Sequence, residues 1–177
     1  RGLGDVYKRQ FMGYTSDGVM LGAVLQLLWT SCVLFGASVP RNDTLASVTI
    51  AGSAFLYATH VQPLDSASWT LAILIGAPVC ILGQWLDVKL EHLNLGLAAK
   101  VDQAAEQIDT AAIAFSVFLA IVRTCLANAT AAAVTTATAL YLLTVLRSGL
   151  GPDGIEALSI VGFYIIPSLG LAVALSM

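Results

Sequence analysis

Residues 111–146 read AAIAFSVFLAIVRTCLANATAAAVTTATALYLLTVL, a run with a single charged side chain, Arg123. An α-helix crosses the hydrocarbon core of a bilayer with about 20 residues. The run is therefore too long for one crossing at ordinary tilt, and its length matches two. A charged side chain inside a span is costly unless it is paired or lies at a helix end, so we predict two spans that meet between Arg123 and Asn128.

Four further apolar segments accompany this run, over residues 19–35, 44–59, 69–86 and 157–177. The chain of 177 residues is 58% hydrophobic and 11% charged, and its mean hydropathy is +0.84. Soluble domains have about 45–50% apolar and roughly 25% charged residues. We therefore predict an all-α, polytopic helical membrane protein with about six apolar segments, some of them short or broken, rather than a soluble enzyme or a disordered chain.

Residues 1–10, RGLGDVYKRQ, are polar and basic, unlike everything that follows. DVYKRQ corresponds to the in-frame translation of a transposon sequencing adapter, so we expect residues 1–10 to be an adapter scar and exclude them from the fold. A signal peptide would need an apolar region directly after its basic one, whereas residues 13–18 read GYTSDG. We expect residues 11–177 to be a partial transmembrane domain, truncated at both ends, of a larger transporter subunit.

The longest polar stretch of this domain covers residues 87–110. Its apolar residues recur at steps of three and four, which predicts an amphipathic helix that connects two spans and either lies at the membrane interface or caps the bundle. They are Leu90, Leu93, Leu97 and Val101. Shorter polar stretches at residues 60–68 and 147–156 predict loops.

The basic residues suggest an orientation. If six spans alternate, four basic residues lie on one side of the membrane and Arg123 lies on the other. Basic residues mark the cytoplasmic side, so residues 87–110 are predicted to be cytoplasmic. The four basic residues are Arg41, Lys89, Lys100 and Arg147.

The spacing of Gly18, Gly22 and Gln26 places these three residues on one face of a helix. Small residues at this spacing allow another helix to come close, so we expect Gln26 to point into the protein. An amide in that position can form hydrogen bonds either with a neighbouring helix or with a polar ligand.

The next stretch predicts a broken helix. Gly36 and Pro40 interrupt the apolar sequence, and the polar pair Asn42 and Asp43 follows. Interrupted helices at membrane depth indicate a transporter binding site, because the freed backbone groups must line a cavity. Asn42 and Asp43 also suit the N-cap of a helix that begins near Thr44. Capping by one of the pair leaves substrate contact open to the other.

Two motifs in these stretches resemble the membrane subunit IIC of the mannose/fructose/sorbose phosphotransferase family. The first is Gly22-x-x-x-Gln26-Leu-Leu-Trp29, and the second is Gly36-Ala37-x-Val39-Pro40-x-Asn42-Asp43-Thr44-x-Ala46-Ser47. The resemblance continues through most of the chain after residue 10. The family usually has Pro-Asp or Pro-Pro-Asp-Glu where this chain has Pro40-Arg41-Asn42-Asp43, so either Asn42 or Asp43 could take the acidic role.

The resemblance implies a sugar-translocating subunit in a bacterial inner membrane, with several spans. A IID subunit would complete the membrane unit, and soluble IIA and IIB subunits would pass phosphate from phosphoenolpyruvate to the hexose in an oligomeric complex. The chain would bind the sugar through Gln26, Asn42 and Asp43 and would not be an enzyme by itself.

The residues agree with a binding role rather than a catalytic one. His60 and His92 are the only histidines, and neither lies in a Gly-rich or acidic nucleophile setting. No catalytic residue, metal site or cofactor is predicted, and the net charge of −3 provides no basic surface for nucleic acid. A transporter or channel of another family, or a membrane-embedded enzyme, remains an alternative that composition alone allows.

Overall fold

The computed structural model describes residues 22–26, 42–166 and 168, and within these ranges it contains helices and no strand. The predicted all-α class is confirmed. Residues 22–26 are helical, and five longer helices follow, the last of which runs into a π-helical turn at Val161–Ile165. These helices are α1 (Asp43–His60), α2 (Ser66–Gly76), α3 (Val79–Glu106), α4 (Thr110–Gly149) and α5 (Pro152–Ile160).

Polar side chains in the short connections start three of these helices. Asn42 caps α1, Asp65 caps α2 and Asp109 caps α4, each through a side-chain oxygen that accepts a backbone N–H of the first turn. Such a cap satisfies a donor that has no partner within the helix, and its loss costs about 0.5–2 kcal/mol. Pro152 stands at the start of α5, where its missing N–H is harmless.

The core lies where α1, α2 and α4 meet. Ile50, Tyr57, Leu71 and Leu143 are buried there, together with Leu25 from the helical residues 22–26. A second buried cluster lies nearer the start of α1, where two alanines of α4 pack against the start of α1 and the start of α3. Its members are Leu45, Ala46, Val79 and Cys80, with Ala131 and Ala132 packed on them.

The two-span prediction for residues 111–146 is wrong, because α4 is one continuous helix of 40 residues. At 1.5 Å per residue it is about 60 Å long, roughly twice the hydrocarbon thickness of a bilayer. Nothing in the run breaks a helix, since it holds neither glycine nor proline. Arg123 lies inside the helix rather than at its end, and its guanidinium donates to the backbone oxygen of Leu93, 3.1 Å away.

This continuity removes the basis of the predicted orientation. Lys100 and Arg147 were assigned to one side on the assumption of two crossings between them. Arg147 instead lies in the last turn of α4, and Lys100 lies near the end of α3, so one continuous helix separates them. Two helical stretches are long and apolar enough to cross a membrane, by length and composition: Ser66–Glu106, which includes α2 and α3, and Thr110–Gly149. The predicted number of about six segments is not confirmed, because most of residues 19–35 and about half of residues 157–177 lie outside the described ranges.

The helix expected over residues 87–110 exists as the second part of α3, which begins at Val79 and ends at Glu106. Leu90, Leu97 and Ala104 are buried at steps of seven, so one stripe of α3 packs on α4. The link at residues 107–109 contains Ile108 with φ 55°, and it turns the chain into the antiparallel α4. The loop predicted over residues 147–156 is almost entirely helical, with a break only at Leu150 and Gly151.

Candidate functional site

The side chain of Asn42 ties the start of α1 to α3. Its Oδ1 accepts the backbone N–H of Leu45 at 2.8 Å, which confirms the capping prediction for this residue. Its Nδ2 donates to Oδ2 of Asp87 at 2.8 Å. The backbone N–H of Asn42 also donates to the oxygen of Cys80 at 3.3 Å. Three hydrogen bonds from one residue therefore fix this end of α1.

Gly83 allows this approach of α1 to α3. A Cβ atom at Gly83 would lie 2.6 Å from Cβ of Asn42 and 3.2 Å from Cδ2 of Leu45, closer than carbon atoms in contact, which prefer about 3.5–4.0 Å. Gly83 stands one helical turn before Asp87, so both residues lie on the face of α3 that meets Asn42. The glycine provides the space and the aspartate provides the acceptor.

The chemistry of Asp87 decides which way the Asn42 amide faces. An ionised carboxylate only accepts hydrogen bonds, so the amide must turn its Nδ2 toward Asp87 and its Oδ1 toward the N–H of Leu45. The assignment of the amide atoms, which geometry alone often leaves open, follows here from both partners. One hydrogen of Nδ2 is used by Asp87, and the described residues offer no acceptor for the second one.

A cavity of about 310 Å³ opens between the first turns of α1 and the middle of α4. Its size falls at the lower end of the range for small-molecule sites. Polar groups reach it from both sides, since Asn42 and Thr44 come from α1 and Asn128 comes from α4. The remaining lining residues are Leu45, Val48 and Ala132.

Asp43 lies next to this cavity but is not among the residues that line it. It is half-buried in the first turn of α1, where a carboxylate interacts favourably with the helix dipole. The hydroxyl of Thr44 approaches its Oδ1 at 3.4 Å. Of the predicted pair, the structure therefore places Asn42 at the cavity and Asp43 beside it.

The side chain of Gln26 is exposed, in contrast to the predicted orientation into the protein. On the predicted packing face, a Cβ at Gly22 would meet nothing within 4 Å, and Gly18 lies outside the described residues. Leu25 supplies the packing instead and is buried in the main core. Val24 lines a separate cavity of about 210 Å³, which Asp65 and several residues of α2 also line. Neither of the two cavities has Gln26 among its lining residues.

Asp65 joins the end of α4 to the start of α2. Its Oδ1 accepts from the backbone N–H and the hydroxyl of Ser68 at 2.8 and 2.5 Å, and its Oδ2 accepts from the guanidinium of Arg147. Burial raises the pKa of the Asp65 carboxyl, but the two Ser68 hydrogen bonds and the charge of Arg147 outweigh it, so the pKa is lowered. Asp65 precedes Ser66–Glu106 and lies outside both stretches that are long and apolar enough to cross a membrane.

Asp87 and Asn128 are the site residues that sequence reasoning missed. In the sequence Asp87 begins the predicted polar connection, and Asn128 lies at the predicted boundary between two spans. A polar side chain inside an apolar helix is a functional candidate by default, and this signal could have identified Asn128. The pairing of Asp87 with Asn42, 45 residues earlier, has no local signal in the sequence.

The described residues contain no group of three or more His, Cys, Asp or Glu side chains that could hold a metal ion. His60 and His92 are both exposed. The chemistry available at the cavity is therefore that of amides, a hydroxyl and a nearby carboxylate. Such groups bind polar neutral ligands by hydrogen bonding.

The family comparison decides the assignment. The family model described as "PTS system sorbose-specific iic component" matches residues 11–177. The chain belongs to this family. Comparison with curated proteins and with solved structures gives no match. As a IIC component of a phosphotransferase system (PTS), the chain is a membrane subunit for sugar transport, and IIC subunits are not themselves catalytic.

Proposed function

We propose that this IIC component binds a hexose and carries it through the bacterial inner membrane as a multi-pass subunit. In this proposal a IID subunit completes the membrane unit, and soluble IIA and IIB subunits deliver the phosphate that the sugar receives. The observation that carries the proposal is the position of Asn42. Its amide is held by α3 at the wall of a cavity between α1 and α4.

The chemistry of the ligand supports this site. A hexose carries several hydroxyl groups, and each hydroxyl both donates and accepts hydrogen bonds. Amides and carboxylates suit such a ligand because they can engage more than one hydroxyl. Asn42 offers a donor at the cavity, and Asp43 offers a carboxylate one residue later. Gln26 is the third proposed contact, and it requires that residues 22–26 approach the sugar in the assembled transporter.

Binding and uptake by the complete complex test this proposal. The chain would be co-produced with its IID and IIB partners, reconstituted in proteoliposomes and assayed with radiolabelled D-mannose, D-fructose and L-sorbose. Each substitution should weaken binding by about 3- to 10-fold, the equivalent of one hydrogen bond. The three variants are Gln26→Leu, Asn42→Ser and Asp43→Asn.

The choice of Asn42→Ser separates sugar contact from helix capping, because serine caps a helix about as well as asparagine. Thr138→Ala is the matched control, since Thr138 is an exposed polar residue of α4 outside the cavity lining. A parent complex that binds none of the three sugars would refute the proposed function. Parent-like binding by all three variants would refute the proposed site.

A further inference from the structure

A second amide faces the cavity from the wall opposite Asn42. Asn128 lines it from the middle of α4, in a helix whose other lining residue there is Ala132. The Nδ2 of Asn128 donates to the backbone oxygen of Thr124 at 3.1 Å, one turn earlier in the same helix. This carbonyl is an acceptor, so it must face the NH₂ group of the amide and not its oxygen.

Because Nδ2 is bound within α4, Oδ1 is the atom of the Asn128 amide that is left to accept a hydrogen bond from another group. No described residue donates a hydrogen bond to this oxygen. The neighbouring alanines of α4, Ala131 and Ala132, pack on the start of α1, which places the two cavity walls at a fixed separation. The two amides therefore present opposite chemistry, with a donor from Asn42 on one wall and an acceptor from Asn128 on the other.

We propose that Asn128 is a second substrate-contacting residue, which accepts a hydrogen bond from a hydroxyl of the bound hexose while Asn42 donates to another oxygen of the same sugar. Asp87 acts as a positioning residue in this arrangement, because its carboxylate fixes the direction of the Asn42 amide. The inference rests on the proposed hexose transport and assigns both walls of the cavity to one ligand. A polyhydroxy compound fits because each of its hydroxyls can serve either amide.

The polar pattern of α4 supports this assignment over a purely structural one. Threonines of α4 donate their hydroxyl hydrogens to carbonyl oxygens of the same helix. The hydroxyl of Thr130, for example, donates to the oxygen of Leu126 at 2.8 Å. Asn128 also donates to a carbonyl oxygen of α4 through its Nδ2. Its Oδ1 accepts no hydrogen bond from the described residues.

The test measures binding of the hexose that the parent complex prefers, by the chain with its partner subunits, in parent and Asn128→Ala form. A series of monodeoxy analogues of that hexose is measured alongside. The Asn128→Ala variant should bind the hexose about 3- to 10-fold more weakly. One deoxy analogue should bind the parent more weakly by the same factor, yet should bind Asn128→Ala as well as the hexose itself does.

This last result separates ligand contact from structural support. A structural role would lower the affinity for every analogue by a common factor, whereas a contact is lost only together with its own hydroxyl. Thr130→Ala, two residues away on an exposed side of α4, is the control and should bind like the parent. Parent-like hexose binding by Asn128→Ala, or a common factor across all analogues, would overturn the inference.

The outcomes also distinguish this inference from the proposed function. If Asn42→Ser weakens hexose binding and Asn128→Ala does not, hexose transport stands and Asn128 is a structural residue. If the parent complex binds no hexose, both the proposed function and this inference are refuted.

A further pair of substitutions tests the positioning role of Asp87. Asp87→Ala should weaken hexose binding as much as Asn42→Ser does, and the two substitutions together should weaken it no more than either alone. Additive losses would contradict that role.

Discussion

Gly76 of α2 lies so close to Ile50 of α1 that a Cβ atom at Gly76 would stand 2.3 Å from Cγ1 of Ile50 and 3.4 Å from its Cα. Ile50 is fully buried in the main core. The side chain of Ile50 occupies the space that any residue other than glycine would need in α2. This contact fixes the separation of α1 and α2 at the level of the core.

The Gly76→Ala substitution should therefore destabilise the protein by about 1–3 kcal/mol, the usual cost of an overpacked core. Gly96→Ala is the matched control, because Gly96 also lies in a helix and a Cβ there would meet nothing within 4 Å. Alanine stabilises an open helical position by about 0.5–1 kcal/mol. Thermal unfolding of both variants in detergent measures the difference, and equal effects of the two substitutions would contradict the close approach.

The hydrogen bonds from Ser68 and the ion pair with Arg147 lower the pKa of Asp65, which predicts a pH dependence of stability. The folded pKa of Asp65 lies below its unfolded value. Its contribution is therefore present above the ordinary aspartate pKa of about 3.9 and is lost as the pH falls through the lower folded value. Because Asp65 is 45% exposed, solvent screens the pair, and we expect a loss of about 1 kcal/mol.

Substitutions at Asp65 separate its two functions. Asp65→Ser keeps a capping oxygen for α2 but removes the charge opposite Arg147, whereas Asp65→Ala removes both. Asp65→Ala should be less stable than Asp65→Ser by about 1 kcal/mol, the value of an N-cap. Both variants should lose the part of the acid destabilisation that Asp65 contributes as the pH falls below the ordinary aspartate pKa. A parent-like pH profile in Asp65→Ser would show that the carboxylate does not contribute.

The continuity of α4 gives a prediction about distance. Phe115 and Tyr141 are both exposed on this helix, so each site accepts a spin label after substitution by cysteine. A straight helix separates positions that are 26 residues apart by about 39 Å. Two spans that turn near Arg123–Asn128 would bring the labels close together. Electron–electron dipolar distances in proteoliposomes distinguish the two cases, and a distance below about 20 Å would refute a single helix.

Sequence reasoning succeeded where the signal is local. The helix over residues 44–59 was expected from its apolar composition, and α1 occupies Asp43–His60. The cap at Asn42 was expected from residue type alone and is present. Local composition also identified the helical character of residues 87–106, because the repeat of apolar residues at steps of three and four does not depend on the rest of the fold.

Sequence reasoning failed where the outcome depends on partners distant in the chain. The division of residues 111–146 used bilayer thickness as a limit on helix length, but α3 pairs with α4 and allows a longer helix. Arg123 was expected at a helix end because a charge needs a partner, and that partner is the oxygen of Leu93. The pair of Asn42 and Asp87 likewise depends on how α1 meets α3. None of these contacts leaves a periodic signal.

The contact between Gly83 and Asn42 gives a last prediction that joins stability to the site. Gly83→Ala should push the start of α1 away from α3, because the new Cβ would lie 2.6 Å from Cβ of Asn42 and 3.1 Å from its Cγ. Neither of these atoms is the mobile end of a flexible side chain, so relief requires backbone movement. We expect a loss of about 1–3 kcal/mol in stability together with weaker hexose binding, since the Asn42–Asp87 bond is strained.

A second substitution tests whether this clash is the cause. Glycine at position 42 removes both clashing atoms and costs a helix start only a few tenths of a kcal/mol relative to asparagine. In the Asn42→Gly background, Gly83→Ala should therefore be nearly neutral for stability, and a double-mutant cycle should give a coupling of about 1–2 kcal/mol. Hexose binding should stay weak in the double variant, because the amide is absent. A cycle with no coupling would place the effect of Gly83→Ala elsewhere, most directly on Leu45, whose Cδ2 lies 3.2 Å from the same position.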